Sequence, residues 1–208
     1  MANRRANGDR PLKRQTGLRA PRRTFQIYCE GKITEPEYLS MLKRMPWVRE
    51  QASLQLQPHR GESDPLSIVT RAVEEYPSPS DEVDEVWCVF DVEAPTPHGN
   101  LTNALELAAR NAINVALSNP CFELWLILHI ELHSAYLTTA SACKKRSLLD
   151  GSSGKEIGSF DYMGALDLAI ENAKALDLKH IGDGTVSPED NPSSTVFRLI
   201  ESVGPKNN

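Results

Sequence analysis

The chain has 208 residues, of which 40% are hydrophobic and 25% are charged, a size and composition that suit one well-buried domain. The longest purely apolar run, residues 124–128, is too short to cross a membrane. The net charge of −5 hides an asymmetry, because residues 1–23 carry eight basic side chains and one acid, a charge of +7, while the remaining 15 basic and 27 acidic residues give −12.

Residues 1–23 are too basic and too poor in large apolar side chains to bury a core. We therefore predict a disordered arm there, followed by a single domain over residues 24–208. A basic arm can bind nucleic-acid phosphates by releasing their counterions, although a solvated tail explains the same composition equally well. The candidate phosphate contacts in the arm are Arg14, Arg19, Arg22 and Arg23.

The four cysteines are scattered along the chain without a C-x-x-C pair. Cys29 and Cys88 lie in strand-like apolar runs, where a buried, reduced thiol is expected. This pattern favours a cytoplasmic protein without disulfide bonds.

Strand-like apolar runs alternate along the chain with segments of helical period. This alternation predicts right-handed βαβ units and an α/β fold, with a parallel sheet covered by helices on both faces. Thr34 is the predicted cap of the first helix. In chain order, the predicted elements are a strand at 24–30, a helix from 34, an edge strand at 52–56, a helix at 63–76, a central strand at 86–91, a helix at 101–111, a strand at 113–117, and helices at 121–132, 138–149, 162–178 and 196–203.

Three acids stand at the ends of the two most strand-like runs. Glu30 closes the first run, Asp91 closes the second, and Glu93 follows two residues later. Ligands of open α/β sheets collect outside the carboxyl ends of the strands, and acids placed there repel one another unless a cation lies between them. We predict a site for Mg²⁺, which prefers carboxylate oxygens and supports phosphodiester cleavage. Helix caps or solvated loop acids are the alternative interpretation.

Three further residues are candidates for the same site. Glu35 follows Glu30 in the first turn of the predicted helix, either as a second metal ligand or as a carboxylate that suits a helix N-terminus. Glu123 lies in an otherwise apolar helix segment, where a carboxylate is costly unless it binds a metal or pairs with an Arg. Lys155 lies in a Gly- and Ser-rich loop, where it either stabilises transition-state charge or is simply solvated.

Gly31, Ser118 and Asn119 are candidate phosphate-binding residues, because N–H groups at the start of a helix can receive a phosphate. Ser118 and Asn119 also precede Pro120, and Ser or Asn before a first-turn Pro is ordinary helix capping. The two roles are compatible with each other.

Two other groups of polar residues have a structural interpretation. His129 and His133, four residues apart, lack a third zinc ligand in the sequence, so we predict structural or surface histidines. The basic run at 144–146 is predicted to form an exposed helix face that could follow a nucleic acid.

Three segments resemble the motifs of the RloB-like family. They are residues 29–38 (CEGKITEPEY), residues 85–93 (EVWCVFDVE) and residues 118–129 (SNPCFELWLILH), the last being the most specific. Weaker matches follow at 154–155 and at 191–196. Together these segments span most of the chain from 24 to 203, in the order of the family's motifs.

The resemblance implies a Toprim-like (Rossmann-like) fold, in which a small parallel sheet is flanked by helices. It further implies a nuclease that uses Mg²⁺ or Mn²⁺ in antiphage defence or abortive infection, beside a separate ABC/OLD-type ATPase. By the same resemblance, Glu30 is the Toprim glutamate, a general acid/base or metal ligand, and Asp91 and Glu93 fill the paired-acid motif. The nucleic-acid substrate (DNA, tRNA or another RNA) and a homo-oligomeric state are left open.

The chain departs from the family pattern at Glu93, where Asp is usual. The extra methylene moves the carboxylate outward by about one bond length, a displacement that Mg²⁺ tolerates poorly. This departure favours a second hypothesis, a non-catalytic subunit that binds nucleic acid or the ATPase. Hydrolysis of a small phosphorylated molecule is a third.

Overall fold

The computed structural model describes residues 22–62, 64–76 and 82–204. These residues form five strands and eight helices. The strands are β1 (Arg23–Cys29), β2 (Ala52–Leu56), β3 (Glu85–Asp91), β4 (Asn114–Asn119) and β5 (Ser193–Ser194). The helices are α1 (Thr34–Arg44), α2 (Pro46–Gln51), α3 (Pro65–Glu74), α4 (Leu101–Arg110), α5 (Phe122–Leu128), α6 (Thr139–Asp150), α7 (Leu166–Asp183) and α8 (Val196–Val203).

The strands form one sheet in the order β2-β1-β3-β4-β5. The first four strands are parallel, and only β5, a two-residue strand, runs antiparallel to its neighbour. The predicted α/β class is therefore confirmed, as is the small, mostly parallel sheet flanked by helices that a Toprim-like fold requires. The predicted edge position of β2 and central position of β3 are also confirmed.

Side chains alternate between the two faces of the sheet and pack under different helices. On one face, Phe25, Ile27 and Trp87 join a core built with α1, α2, α5, α6, α7 and α8. On the other face, Tyr28 and Cys88 pack with α3 and α4. Helices therefore cover both faces, as predicted, and this explains why the middle of β3, Val86 to Phe90, is apolar at every position.

Several predicted helix starts need correction. Thr34 does not cap α1, since the helix has no side-chain cap and the Thr34 hydroxyl donates instead to the backbone oxygen of Lys155, at 2.7 Å. Asp64 does cap α3, because its Oδ1 accepts from the N–H groups of Leu66 and Ser67. Helix α7 begins at Leu166 rather than at 162, and α2 was not predicted.

The prediction that Ser118 and Asn119 cap the following helix, α5, is also wrong. Ser118 and Asn119 are the last residues of β4, each 1% exposed, and neither side chain caps α5. Ser118 Oγ lies 3.1 Å from Ser194 Oγ, and Asn119 Oδ1 accepts from Asn191 Nδ2 at 2.9 Å. Residues of two sequence motifs, 118–129 and 191–196, thus connect β4 with β5.

Within the residues that the structure describes, none of the helices combines the length and the apolar character that crossing a membrane requires. All four cysteines are free, and Cys29 and Cys88 are buried as predicted.

Candidate metal centre

A cavity of about 390 Å³ opens at the edge of the sheet where β1 and β3 end. Because the two strands are parallel neighbours, the residues that follow them meet at the same edge. The predicted residues that line the cavity are Glu30, Gly31, Glu35, Asp91, Glu93, Glu123 and Lys155.

Glu30 is fixed by contacts from two directions. Its Oε2 accepts a hydrogen bond from the backbone N–H of Asp91 at 3.0 Å, which ties the end of β1 to the end of β3. Its Oε1 lies 3.2 Å from Nε2 of His98, a residue of the loop before α4 that was not among the predicted site residues. The side chain is 17% exposed, so it stays accessible from the cavity.

The acids of the cavity raise one another's pKa. Burial raises the pKa of Asp91 well above its ordinary value, and the nearby carboxylates of Glu35, Glu30, Glu123 and Glu93 raise it further. Burial also raises the pKa of Glu30, although the Asp91 N–H and His98 oppose that rise. Ionising all of these acids together is therefore unfavourable, and a cation among them would favour their ionised forms.

Glu93 leaves the sheet with an unusual backbone conformation. Its φ is +70°, in the left-handed region that non-glycine residues rarely adopt. Its N–H donates to the oxygen of Pro120 at 2.8 Å, and its Oε2 accepts from the hydroxyl of Thr139 at 2.5 Å. The longer side chain of Glu at this position is therefore held against the first residue of α6.

Glu35 lies beneath Gly31. Its side chain is almost completely buried, and its Oε1 accepts from the Gly31 N–H at 3.0 Å. A Cβ at position 31 would overlap with this carboxylate and would force the buried Glu35 side chain to move. Burial raises the pKa of Glu35 to about 7, with smaller contributions from Glu123 and Glu30. The N–H of Gly31, predicted to meet a phosphate, is therefore already used inside the protein.

Lys155 reaches the cavity from a loop that α6 holds in place. Arg146, 1% exposed, donates to the backbone oxygens of Gly154 at 2.7 Å and Glu156 at 2.5 Å. Its Nε also lies 3.0 Å from Oδ2 of Asp150, another buried residue. The prediction that Arg146 lies on an exposed basic face is wrong, because this guanidinium is an internal support for the residues on either side of Lys155.

Glu123 lies in the first turn of α5, half-buried, between the cavity and two thiols. One oxygen of Glu123 and the Sγ atoms of Cys121 and Cys143 all lie within 4.8 Å of one another. The predicted alternative, a buried ion pair with an Arg, has no counterpart among the ion pairs of the described residues.

The opposite wall of the cavity comes from the loop after β2, which sequence reasoning did not connect to the site. His59 and Glu62 line it. Glu62 Oε1 accepts from the Arg71 guanidinium at 2.7 Å. Burial opposes ionisation of Glu62, but hydrogen bonds from the Arg60 N–H and from Arg71 lower its pKa to about 2. Since Arg71 already neutralises it, Glu62 adds little to the unbalanced charge.

The remaining candidates lie elsewhere. Ser118 and Asn119 do not line the cavity, and their side chains are used within the sheet. Arg14 and Arg19 lie outside the described residues. Arg22 is exposed, whereas Arg23 begins β1 and pairs with Glu85.

His129 is a core residue. Its Nδ1 donates to the backbone oxygen of Trp125 at 2.8 Å, and its Nε2 lies 3.1 Å from the hydroxyl of Tyr38. Burial lowers the pKa of His129 to about 4, so the ring is neutral at physiological pH. The structural role predicted for His129 fits these contacts.

The oxygen donors of the cavity suit a hard divalent cation, which takes one or two carboxylates together with water. Their spacing sets a limit, however. A magnesium ion bound by three protein oxygens at once would hold them within about 4.2 Å of one another. Among the described residues, only the ligand atoms of Cys121, Glu123 and Cys143 form a group of three that is nearly so compact. Glu30, Asp91 and Glu93 therefore share a cavity without converging on one point.

The comparison with protein families identifies one family. The model of the family described as RloB-like protein matches residues 25–203. This range includes β1 from Phe25 onward, the other four strands and the whole cavity. The chain belongs to the RloB-like family. No curated protein and no solved structure gives a significant match to this RloB-like chain.

Proposed function

We propose that this RloB-like protein is a nuclease that cleaves phosphodiester bonds with the help of Mg²⁺ or Mn²⁺. The observation that carries the proposal is the presence of Glu30, Asp91 and Glu93 in the lining of one cavity, with Lys155 at its edge. When bound there, the metal would neutralise phosphate charge and activate a water molecule.

The side chains of the cavity suit distinct tasks in this chemistry. Asp91 and Glu93 are the proposed metal-holding carboxylates. Glu30, held by the Asp91 N–H and raised in pKa by burial, is placed to exchange a proton closer to neutral pH than an ordinary glutamate. Lys155, on its supported loop, offers an ammonium group for the charge that develops during cleavage.

A row of exposed cations supports a long polyanion as the substrate. Lys32 borders the cavity and also the next depression along α1, and Arg44 links that depression to one lined by the other cations. None of these residues forms an ion pair with a carboxylate of the described part of the chain. This basic strip consists of Arg22, Lys32, Lys43, Arg44 and Arg49.

Two acids, Glu37 and Glu50, border the basic strip. Five cations against two carboxylates leave a local charge of +3 on a protein whose net charge is −5. Phosphate backbones bind to such surfaces through counterion release, in proportion to the number of contacts. A mononucleotide would gain little from the strip, whereas DNA or RNA would contact several of its cations.

The test is divalent-dependent cleavage of plasmid DNA and total tRNA by the wild-type protein, Glu30→Gln and Asp91→Asn. We expect each substitution to lower the cleavage rate by about 100-fold or more, as loss of an acid/base or metal-binding group does. Glu171→Gln, an exposed acid on α7, is the matched control and should cleave at the wild-type rate. Absence of cleavage by the wild-type protein with either metal would reject the proposal.

A non-catalytic binding subunit is the second candidate, and two observations favour it. The three main acids do not converge on one point, and Glu93 is directed to Thr139. If this candidate is correct, the wild-type protein, Glu30→Gln and Asp91→Asn will bind nucleic acid equally and none will cut it. Binding by all three with cleavage by the wild-type protein alone supports the nuclease.

We further propose, from family membership, a role in antiphage defence together with an ABC/OLD-type ATPase. The neighbouring open reading frames provide the first test, since the proposal expects an ATPase gene beside this one. Phage plating efficiency on cells that express both genes, with wild-type protein or Asp91→Asn, provides the second. Equal plating on both strains would argue against a defence role for the cavity.

A further inference from the structure

Two thiols and a carboxylate meet beside the cavity, where helices α5 and α6 pack together. Cys121 immediately precedes α5, Glu123 lies in the first turn of that helix, and Cys143 lies in α6. Cys121 is 1% exposed, whereas Cys143 is exposed, so one side of the group is open to solvent. No other three potential ligands of the described residues lie so close together.

We propose that Cys121, Glu123 and Cys143 form a binding site for zinc, separate from the proposed magnesium site. Zinc takes four ligands in a tetrahedron, with Zn–S distances of about 2.3 Å, which places two thiolate sulfurs about 3.8 Å apart. The three ligand atoms lie within 4.8 Å of one another, so small side-chain adjustments bring them to this spacing. Solvent fills the fourth position from the open side.

The type of ligand separates this site from the carboxylate cavity. Thiolates select zinc and other soft ions, while magnesium and manganese prefer the oxygen donors of Glu30 and Asp91. Glu123 borders both groups, and binding of zinc would direct its carboxylate away from the cavity. The sequence prediction that Glu123 supports magnesium stays a prediction beside this proposed role.

Zinc at this position would also affect Glu93. Helix α6 contributes Cys143 to the zinc site and Thr139 to the hydrogen bond with Glu93, within little more than one turn. A metal that links α6 to the start of α5 would therefore hold Thr139, the hydrogen-bond donor to Glu93, in position. This inference does not depend on nuclease activity, because it concerns metal affinity alone.

The test uses the full chain, reduced and freed of metal, titrated with zinc against a chromophoric chelator. We expect one zinc ion per chain, and we expect Cys143→Ser to weaken the affinity by about tenfold or more, since even the loss of residues that support a ligand costs that much. Cys143 is exposed, so this variant should fold normally. Glu171→Gln, an exposed acid on α7, should bind zinc as tightly as the wild-type protein does.

Cobalt substitution gives a second readout. Cobalt bound to Cys121 and Cys143 should show the near-ultraviolet charge-transfer absorption of a thiolate ligand, weakened in Cys143→Ser and retained in Glu123→Gln. Zinc binding of equal affinity in the wild-type protein and Cys143→Ser would overturn the proposal. A cobalt spectrum without the thiolate band, or a disulfide between the two cysteines that persists in reducing buffer, would overturn it as well.

Discussion

Glu35→Gln should make the metal-free protein more stable at alkaline pH. Burial raises the pKa of Glu35 from 4.5 to about 7, so the folded protein holds a proton that the unfolded chain releases. Stability is therefore lost as pH rises from about 4.5 to 7. At about 1.4 kcal/mol per pKa unit, the full rise corresponds to about 3 kcal/mol above pH 7. The Gln oxygen can still accept the hydrogen bond from Gly31.

Urea unfolding at pH 4.5 and pH 8, in the presence of a chelator, measures this effect. We expect Glu35→Gln and the wild-type protein to unfold together at pH 4.5, and the variant to be more stable by up to about 3 kcal/mol at pH 8. Glu171→Gln, an exposed acid, should show no such difference. A Glu35→Gln protein that is less stable than the wild type at pH 8 would refute the argument, because it would mean that the ionised carboxylate is well stabilised.

Three further substitutions test the supports of the site. Gly31→Ala should lower the free energy of unfolding by about 1–3 kcal/mol, because its Cβ overlaps with a buried carboxylate; an unchanged urea midpoint would contradict this. Thr139→Val should cost about 1–3 kcal/mol by removing the hydrogen bond to Glu93 and leaving the Ala94 N–H without its acceptor; an unchanged melting temperature would contradict this. Arg146→Met leaves Asp150 without its buried partner and should cost about 3–5 kcal/mol; a melting temperature equal to that of the wild type would show that the ion pair contributes nothing.

The centre of the sheet was predictable because β1 and β3 are its two longest strands and carry its most apolar runs. The runs that end at Cys29 and Asp91 are buried on both faces, and in parallel strands this leaves a pattern that no exposed segment shares. The meeting of Glu30 and Asp91 follows from the same reasoning, since neighbouring parallel strands end at the same edge. Their chemical role stays a prediction.

Short elements and distant contacts were not predictable. Helix α2 has six residues and β5 has two, which is too few residues to show the hydrophobic period of a helix or of a strand. Ser118 and Asn119 look like caps in the local sequence, and only their pairing with Ser193 and Ser194 reveals that β4 continues through them. The hydrogen bonds that decide between the two outcomes connect residues more than 70 positions apart.

Single side chains were the hardest part of the site to predict. Arg146 stands beside two lysines in the sequence, yet it is buried, because the loop carbonyls and Asp150 satisfy its charge. Cys143 gives no local sign of its partner Cys121, which the packing of α6 on α5 brings beside it. His98 reaches Glu30 only because the loop after β3 folds back over the end of the sheet.

The length of strand β1 sets the distance between the basic strip and Glu30. The strand starts at Arg23, next to Arg22 of the basic strip. Glu30 follows the other end of the strand, seven residues after Arg23. At about 3.3 Å per residue, these two points are about 23 Å apart. A duplex rises about 3.4 Å per base pair, so roughly seven base pairs separate them. Under the proposed function, oligonucleotides shorter than this would occupy one end or the other, and only longer ones would reach both.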